Sequence, residues 1–155
     1  MPLQIGQPAP DFKLYDTEKK EVSLSDYRGR PVVLLFFPFA FTSVCTAELC
    51  SVRDEIAEYN EVDAVVFGIS VDYLQTLKKY KAEQNLNFSL LSDFNKNVSA
   101  DYDCLYEVFG QNMRGVSKRS SFVIDREGIM RFAQILENAG EFPDLPGVKA
   151  CLQSL

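Results

Sequence analysis

Four cysteines are the side chains best suited to chemistry in this chain of 155 residues, because it contains no histidine. The missing imidazole excludes a Cys-His dyad, a Ser-His-Asp triad and any histidine-ligated metal. A thiol is therefore the leading candidate for catalysis. The candidates are Cys45, Cys50, Cys104 and Cys151.

The spacing of these cysteines limits what they can do. No C-x-x-C motif is present, which argues against a thioredoxin-type disulfide reductase and a zinc knuckle. An all-cysteine zinc site would need four scattered thiols. A chain of this size can bury a core without disulfides, so a reducing, cytoplasmic location is the simpler interpretation. No metal, flavin or nucleotide motif is visible, and we expect no cofactor.

Cys45 is distinguished by the elements that position it. An apolar run over residues 32–37 predicts a central strand buried on both faces, and a helix is expected from Thr42 or Ser43 to about residue 60. Cys45 falls in the first turn of that helix, where unpaired N–H groups and the helix dipole favour a nucleophilic thiolate. On this pattern alone, a cysteine that merely fills space at a helix start is the alternative.

The neighbours of Cys45 could support such a thiolate. Thr42 can cap the helix and direct its hydroxyl toward the sulfur, and Pro38 lacks an N–H and stiffens the loop. Phe39 and Phe41 could form the walls of a pocket that excludes water and suits an apolar substrate. This strand–loop–helix junction is therefore the predicted site.

The remaining elements follow an order typical of an α/β protein. Strands alternate with helices before a late hairpin, which predicts a mixed sheet in a single domain over residues 1–155. A net charge of −6 argues against nucleic acid or an anionic membrane as a partner, and no apolar stretch is long enough to span a bilayer. The other expected strands are residues 12–14, 21–23, 64–71, 88–91, 121–124 and 129–135, and the other helices are residues 73–84, 97–102 and 144–155.

Several segments resemble the peroxiredoxins, the AhpC/TSA-type thiol peroxidases. Pro38, Thr42 and Cys45 match the family signature P-x-x-x-T-x-x-C, and residues 5–12 resemble its opening G-x-x-A-P-D-F. These matches are joined by three more segments in the family's order, so the resemblance covers nearly the whole chain. The further segments are residues 24–38, which lead into the signature, residues 90–93, which resemble L-L-S-D, and residues 119–125, which resemble R-x-S/T-F-V-I-D.

The resemblance implies a thioredoxin-like fold, with a central mixed sheet flanked by helices, and reduction of hydrogen peroxide and organic hydroperoxides. Cys45 would attack a peroxide oxygen, which gives a sulfenic acid and releases water or an alcohol. Thr42 would hydrogen-bond the peroxide and the sulfur. Arg119 matches the family's active-site arginine, which holds the thiolate and stabilises charge during the displacement. The implied reductant is thioredoxin or a glutaredoxin-like protein, and the implied assembly is a monomer or a homodimer.

Two further residues extend the implied site. Glu48 matches a glutamate of the family, which implies a role in the site. An equally good interpretation is an acidic residue in the first turn of the helix that only interacts favourably with the helix dipole. The backbone N–H groups of Val44 and Cys45 could bind the reacting oxygens.

Cys50 is the first choice for a resolving cysteine. The five-residue spacing from Cys45 is similar to the PrxQ group, the bacterioferritin comigratory proteins. In an intact α-helix this spacing separates the Cα atoms by about 8.6 Å, beyond the roughly 7 Å that a disulfide bridges. Pairing would therefore require the helix to unwind. Residues 36–42 are instead similar to the AhpE-like group, which favours a one-cysteine enzyme. Cys104 and Cys151 are alternative resolvers, although their surroundings are more typical of core or surface cysteines.

Two other functions stay open at this point. A redox sensor could use the same thiol to pass a disulfide to a partner without efficient turnover. A thioredoxin-fold binding module without catalysis would not need Thr42, Cys45 and Arg119 together.

Overall fold

One seven-stranded sheet forms the centre of the computed structural model, which describes residues 3–155. In chain order the strands are β1 (Lys13–Asp16), β2 (Glu21–Ser23), β3 (Val32–Phe36), β4 (Val65–Ser70), β5 (Ser89–Ser92), β6 (Ser120–Ile124) and β7 (Met130–Ile135). Their order across the sheet is β2-β1-β5-β4-β3-β6-β7. β4 runs parallel to both β3 and β5, whereas the other neighbouring pairs are antiparallel. The expected mixed sheet is confirmed.

Helices cover both faces of this sheet. They are α1 (Ser43–Asp54), α2 (Ile56–Asn60), α3 (Leu74–Gln84), α4 (Asn97–Asp101) and α5 (Leu145–Gln153). The helices α1, α2, α3 and α5 share one hydrophobic core with one face of the sheet. The other face packs against α4 and the segment that precedes β1. This three-layer arrangement is the thioredoxin-like fold that was expected.

The central strand β3 directs the chain into the site. All five of its residues are buried, because β4 and β6 flank it and helices or loops cover both faces. Val33 and Leu35 face the helix-rich core, whereas Leu34 and Phe36 face the opposite one. A strand fixed on both faces gives the loop that follows it a rigid starting point.

The single long helix predicted to run to about residue 60 is wrong. The structure has two helices, α1 and α2, separated at Glu55, whose backbone is non-helical with φ −111° and ψ 19°. No glycine or proline marks this break. Instead, Lys149 of α5 forms ion pairs with Glu55 and, at 3.1 Å, with Glu58. A contact from the far end of the chain thus accompanies the break between the two helices.

Candidate active site

The loop between β3 and α1 is fixed by the end of β4. The Phe37 N–H donates to the carbonyl of Ile69 at 2.9 Å, and the Ala40 N–H donates to Asp72 Oδ2 at 2.8 Å. The same carboxylate oxygen accepts from the Ser70 hydroxyl at 2.7 Å. Pro38 lies buried between these two anchored residues. The loop that leads to α1 is therefore held by a backbone hydrogen bond to β4 and by the side chain of Asp72, just after that strand.

Cys45 lies in the first turn of α1 and is only 1% exposed. Thr42 occupies the N-cap position, and its carbonyl accepts the first helical hydrogen bond from the Thr46 N–H at 3.0 Å. The N–H groups of the first turn, which include those of Val44 and Cys45, have no carbonyl partner within the helix. Val44 itself is half-buried. The thiol therefore sits at the positive end of the helix dipole.

The side chain of Thr42 does not cap α1, so that prediction is wrong. Its hydroxyl donates to the carbonyl oxygen of Phe39 at 2.9 Å, and no side-chain cap bond forms. A hydroxyl can donate one hydrogen bond, and the carbonyl oxygen of Phe39 accepts it. The two lone pairs of Thr42 Oγ1 are left as acceptors beside the first turn of the helix.

Arg119 connects Cys45 to two other parts of the molecule. It directly precedes β6 and is 1% exposed. Its Nη2 donates to Cys45 Sγ at 3.2 Å, and its Nη1 donates to Glu48 Oε1 at 2.7 Å. Nη2 and Nε also donate to the carbonyl of Ala139, at 3.0 and 3.3 Å. Burial alone would lower the pKa of Arg119, but nearby Glu48 and Cys45 raise it above its ordinary value.

Glu48 is a fully buried carboxyl group with one of its two oxygens unpaired. Oε1 accepts from Arg119, whereas Oε2 has no hydrogen-bond partner among the described residues. Burial raises the pKa of Glu48 to about 7, against the opposing effect of the Arg119 charge. Arg119 therefore lies between two acidic groups, a thiol and a carboxyl, in a site that excludes solvent.

This carboxyl group predicts how stability depends on pH. The folded protein keeps the Glu48 proton up to about pH 7, whereas the unfolded chain releases it near 4.5. Stability from this group is fully present below that lower pH and is lost as the pH rises to about 7. We expect Glu48→Gln to remove this part of the decrease. Urea denaturation of both proteins across this interval measures it, with the exposed Glu18→Gln as control; equal slopes for wild type and Glu48→Gln would contradict it.

Phe39 and Phe41 diverge from each other at this site. Phe39 is half-buried and meets Phe109 edge-on, with ring centroids 6.1 Å apart. Phe41 is 50% exposed and packs against Tyr80 of α3, with ring centroids 5.0 Å apart and the ring planes tilted by 59°. The two rings therefore extend an aromatic surface to opposite sides of the loop, rather than facing each other across it.

The other three thiols have different surroundings, and all four cysteines are unpaired in the described chain. Cys50 is half-buried, with Sγ 3.6 Å from Gln84 Oε1. Cys104 is fully buried in the core on the opposite face of the sheet, and burial raises its pKa to about 12. Burial also raises the pKa of Cys151, against the opposing effect of Arg131. These environments keep Cys104 and Cys151 protonated and poorly nucleophilic.

Two contributors could not be marked by sequence motifs. Ala139 takes part only through its carbonyl oxygen, which any residue would supply. Tyr80 shares a hydrogen bond of 2.8 Å with the hydroxyl of Thr46, the residue after Cys45. Its helical position predicts a core residue, and nothing in the local pattern indicates where its hydroxyl points.

Two classes of site are not found in residues 3–155. No group of three or more cysteine, aspartate or glutamate side chains is arranged to hold a metal ion. None of the helices there has both the length and the apolar character that crossing a membrane would need.

The site thus contains a buried thiol at the start of a helix, and a buried arginine donates a hydrogen bond to its sulfur. On a thioredoxin-like fold, this is the geometry of a thiol-dependent peroxidase. The sequence matches the AhpC/TSA family over residues 5–133, and the chain belongs to that family. It is a peroxiredoxin, an oxidoreductase that reduces peroxides through a cysteine.

Individual relatives agree with this assignment. The chain is 39% identical over 143 residues to alkyl hydroperoxide reductase E of Mycobacterium tuberculosis, covering 92% of this chain and 91% of that protein. It is 40% identical over 130 residues to peroxiredoxin Bcp of Bacillus subtilis, covering 83% and 82% respectively. The crystal structure of peroxidoxin BcpB from Mycobacterium tuberculosis superimposes with a TM-score of 0.86 at 31% identity, over 99% of this chain and 98% of that one.

Proposed function

We propose that Cys45 is the peroxidatic cysteine of this peroxiredoxin and that Arg119 is its electrostatic partner. The observation that carries this proposal is the contact of 3.2 Å between Arg119 Nη2 and Cys45 Sγ, with both residues 1% exposed. A buried guanidinium beside a sulfur stabilises the thiolate, which is the form that attacks a peroxide.

The proposed reaction uses the groups around that sulfur. The thiolate attacks the terminal oxygen of the peroxide, the O–O bond breaks, and the leaving oxygen takes a proton to become water or an alcohol. Arg119 and the free N–H groups of Val44 and Cys45 stabilise the developing negative charge. Thr42 Oγ1 donates to Phe39, so its lone pairs accept the hydrogen bond of the peroxide O–H. Glu48 holds the guanidinium in place.

The substrate preference follows from the aromatic surface beside the loop. Phe39 and Phe41 present apolar rings on the two sides of the loop, so an alkyl group attached to the peroxide would contact the ring on its own side. The relative from Mycobacterium tuberculosis is named for alkyl hydroperoxides, which supports the same class. We therefore assign organic hydroperoxides, together with hydrogen peroxide, as substrates.

Regeneration in this proposal uses Cys50. The sulfenic acid of Cys45 condenses with the Cys50 thiol to form a disulfide and water, after which a thioredoxin-type or glutaredoxin-like dithiol reduces the disulfide. Cys50 suits this role better than Cys104, which lies on the other face of the sheet. Four unpaired thiols are also consistent with a reducing location such as the cytoplasm.

Treatment with one equivalent of peroxide should convert Cys45 and Cys50 into a disulfide. Mass spectrometry of the digested protein would identify the linked peptides, and Cys50→Ser should instead accumulate sulfenic acid at Cys45. Cys151→Ser is the matched control and should form the same disulfide as the wild type. Sulfenic or sulfinic acid at Cys45 in the wild type, without any disulfide, would define a one-cysteine enzyme.

A second measurement distinguishes an enzyme from a redox sensor. Continued peroxide consumption with thioredoxin as reductant would support an enzyme, whereas oxidation of one equivalent without recycling would support a sensor.

A further inference from the structure

Tyr80 contacts the end of the strand, the loop and the helix that lead to Cys45. It lies on α3 and is fully buried. Its hydroxyl shares the hydrogen bond of 2.8 Å with Thr46, in the first turns of α1. Its ring lies 6.4 Å from Phe37 at the end of β3 and 5.0 Å from Phe41 in the loop. One side chain thus joins the strand, the loop and the helix.

The loop residue under Tyr80 has a strained backbone. Phe41 has φ 64°, in the left-handed region that a bulky residue rarely adopts. Its side chain is 50% exposed, so burial in the core does not hold it. Because the ring of Tyr80 packs against it in a tilted arrangement, α3 stabilises the conformation from which α1 begins.

A second pair of contacts continues along the same two helices. Thr46, Cys50 and Arg53 are spaced by four and three residues, so they share one face of α1. That face meets Tyr80 and Gln84, which are four residues apart on α3. The Cys50 thiol donates to Gln84 Oε1 at 3.6 Å, and Arg53 Nη1 donates to the Gln84 carbonyl at 2.5 Å.

These contacts point Cys50 toward α3 and not toward Cys45. Five residues turn an α-helix by one full circle and about 140° more, so the two side chains leave α1 in different directions. Cys45 faces Arg119, whereas Cys50 faces Gln84. Any meeting of the two sulfurs requires the contacts with α3 to break first.

We propose that Tyr80 and Gln84 form a latch on α1 and that the hydroxyl of Tyr80 sets the rate at which Cys50 reaches the oxidised sulfur of Cys45. This inference rests on the proposed function, in which Cys45–SOH and Cys50–SH condense to a disulfide and water. Tyr80 acts through Thr46 and Phe41, so it is a positioning residue. Burial raises the pKa of Tyr80 to about 12, which keeps its hydroxyl protonated at neutral pH.

The latch has a chemical consequence for the sulfenic acid. While α1 stays folded, a second peroxide can oxidise Cys45–SOH to the sulfinic acid and leave as an alcohol or water. Opening of the helix removes the sulfenic acid through the disulfide instead. The Tyr80–Thr46 hydrogen bond therefore influences which fraction of the Cys45 sulfenic acid is recycled through the disulfide and which fraction is inactivated as sulfinic acid.

The test begins with Tyr80→Phe, which removes the hydroxyl and keeps the ring. Loss of one net hydrogen bond should open α1 about fivefold more often. Hydrogen–deuterium exchange of the backbone amides of residues 46–50 should accelerate by that factor in the reduced protein. After peroxide treatment, the disulfide should form faster by a similar factor, and less sulfinic acid should accumulate at high peroxide.

Two further variants separate the latch from a general loss of stability. Tyr102→Phe removes another buried hydroxyl, which donates to the Pro10 carbonyl at 2.6 Å on the opposite face, and should leave the exchange of α1 unchanged. Thr46→Val removes the hydrogen bond from the other side. Combined with Tyr80→Phe it should add nothing to either single variant, because both delete the same contact.

The possible outcomes are distinct. If exchange of residues 46–50 is no faster in Tyr80→Phe than in Tyr102→Phe, the proposed latch is overturned. The resolving role of Cys50 would still stand in that case if the wild type forms the disulfide. If exchange accelerates and the disulfide rate does not, the rate-setting role is overturned. If exchange accelerates but no variant forms a disulfide, the contact holds the helix and Cys50 is not the resolver, which overturns the resolving step of the proposed function.

Discussion

Replacing Cys45 with serine is expected to abolish peroxide reduction while the protein stays folded. A serine hydroxyl is not ionised near neutral pH and is a far weaker nucleophile, so peroxide consumption should fall by more than about a thousandfold. Serine is close to cysteine in size, and its oxygen can accept the hydrogen bond that Arg119 now donates to the sulfur. The fold should therefore survive the change.

The measurement is peroxide consumption with a small dithiol as reductant, which removes any dependence on a protein partner. Circular dichroism and thermal unfolding of the same samples report the fold. Cys151→Ser is the matched control, because this half-buried thiol lies outside the site, and it should retain full activity. If Cys45→Ser kept activity near that of the wild type, another group would have to be the nucleophile.

Replacing Arg119 with methionine is expected to damage both catalysis and stability, for two separable reasons. The sulfur loses its hydrogen-bond donor and the transition state loses a buried positive charge, which should reduce the rate with peroxide by about 10²- to 10³-fold. Glu48 loses the hydrogen bond from Arg119, the one side-chain hydrogen bond it makes within the described residues, and is left buried and unpaired, which should lower the free energy of unfolding by about 3 kcal/mol. This loss should grow above about pH 7, because Glu48 of the wild type ionises there beside Arg119, whereas burial without that charge keeps the pKa of Glu48 higher in the variant.

A double variant distinguishes these two effects. Arg119→Met combined with Glu48→Gln removes the unpaired acid, so stability should recover while the rate stays low. Arg119→Lys keeps the charge but not the planar fork, which reaches Cys45, Glu48 and Ala139 at once, so it should recover little activity. Single-turnover oxidation of Cys45 and urea denaturation measure the two quantities. A rate within about threefold of wild type in Arg119→Met would contradict the role of this arginine, since one such donor is worth far more.

Much of the scaffold could be predicted because its signals are local. The continuous apolar run predicts β3, and the turn residues predict the hairpin of β6 and β7; both patterns consist of consecutive residues. The helix start before Cys45 is similarly local. The break at Glu55 could not be predicted in this way, because its contact with Lys149 joins residues 94 positions apart.

The site was accessible to sequence reasoning to a different extent for each residue. Cys45 could be singled out by its place in the first turn of a helix, whereas Arg119 required a family motif, because an arginine beside a strand is usually exposed. The role of Thr42 as a side-chain cap was wrong because a cap needs Oγ1 to accept from an N–H of α1, whereas the folded loop directs this hydroxyl to the carbonyl of Phe39. Tyr80 was missed, since the pattern of α3 indicates burial of its ring and says nothing about the partner of its hydroxyl.

The distance along the chain between Cys45 and Arg119 has a consequence for biosynthesis. Their hydrogen bond joins residues 74 positions apart, and Arg119 reaches the thiol only after β6 has paired with β3. A nascent chain that has left the ribosome only as far as β5 carries the cysteine but lacks the guanidinium. The thiol therefore gains its buried cationic partner only after β6 has been synthesised and has paired with β3, so the proposed active site is assembled late in the formation of the fold.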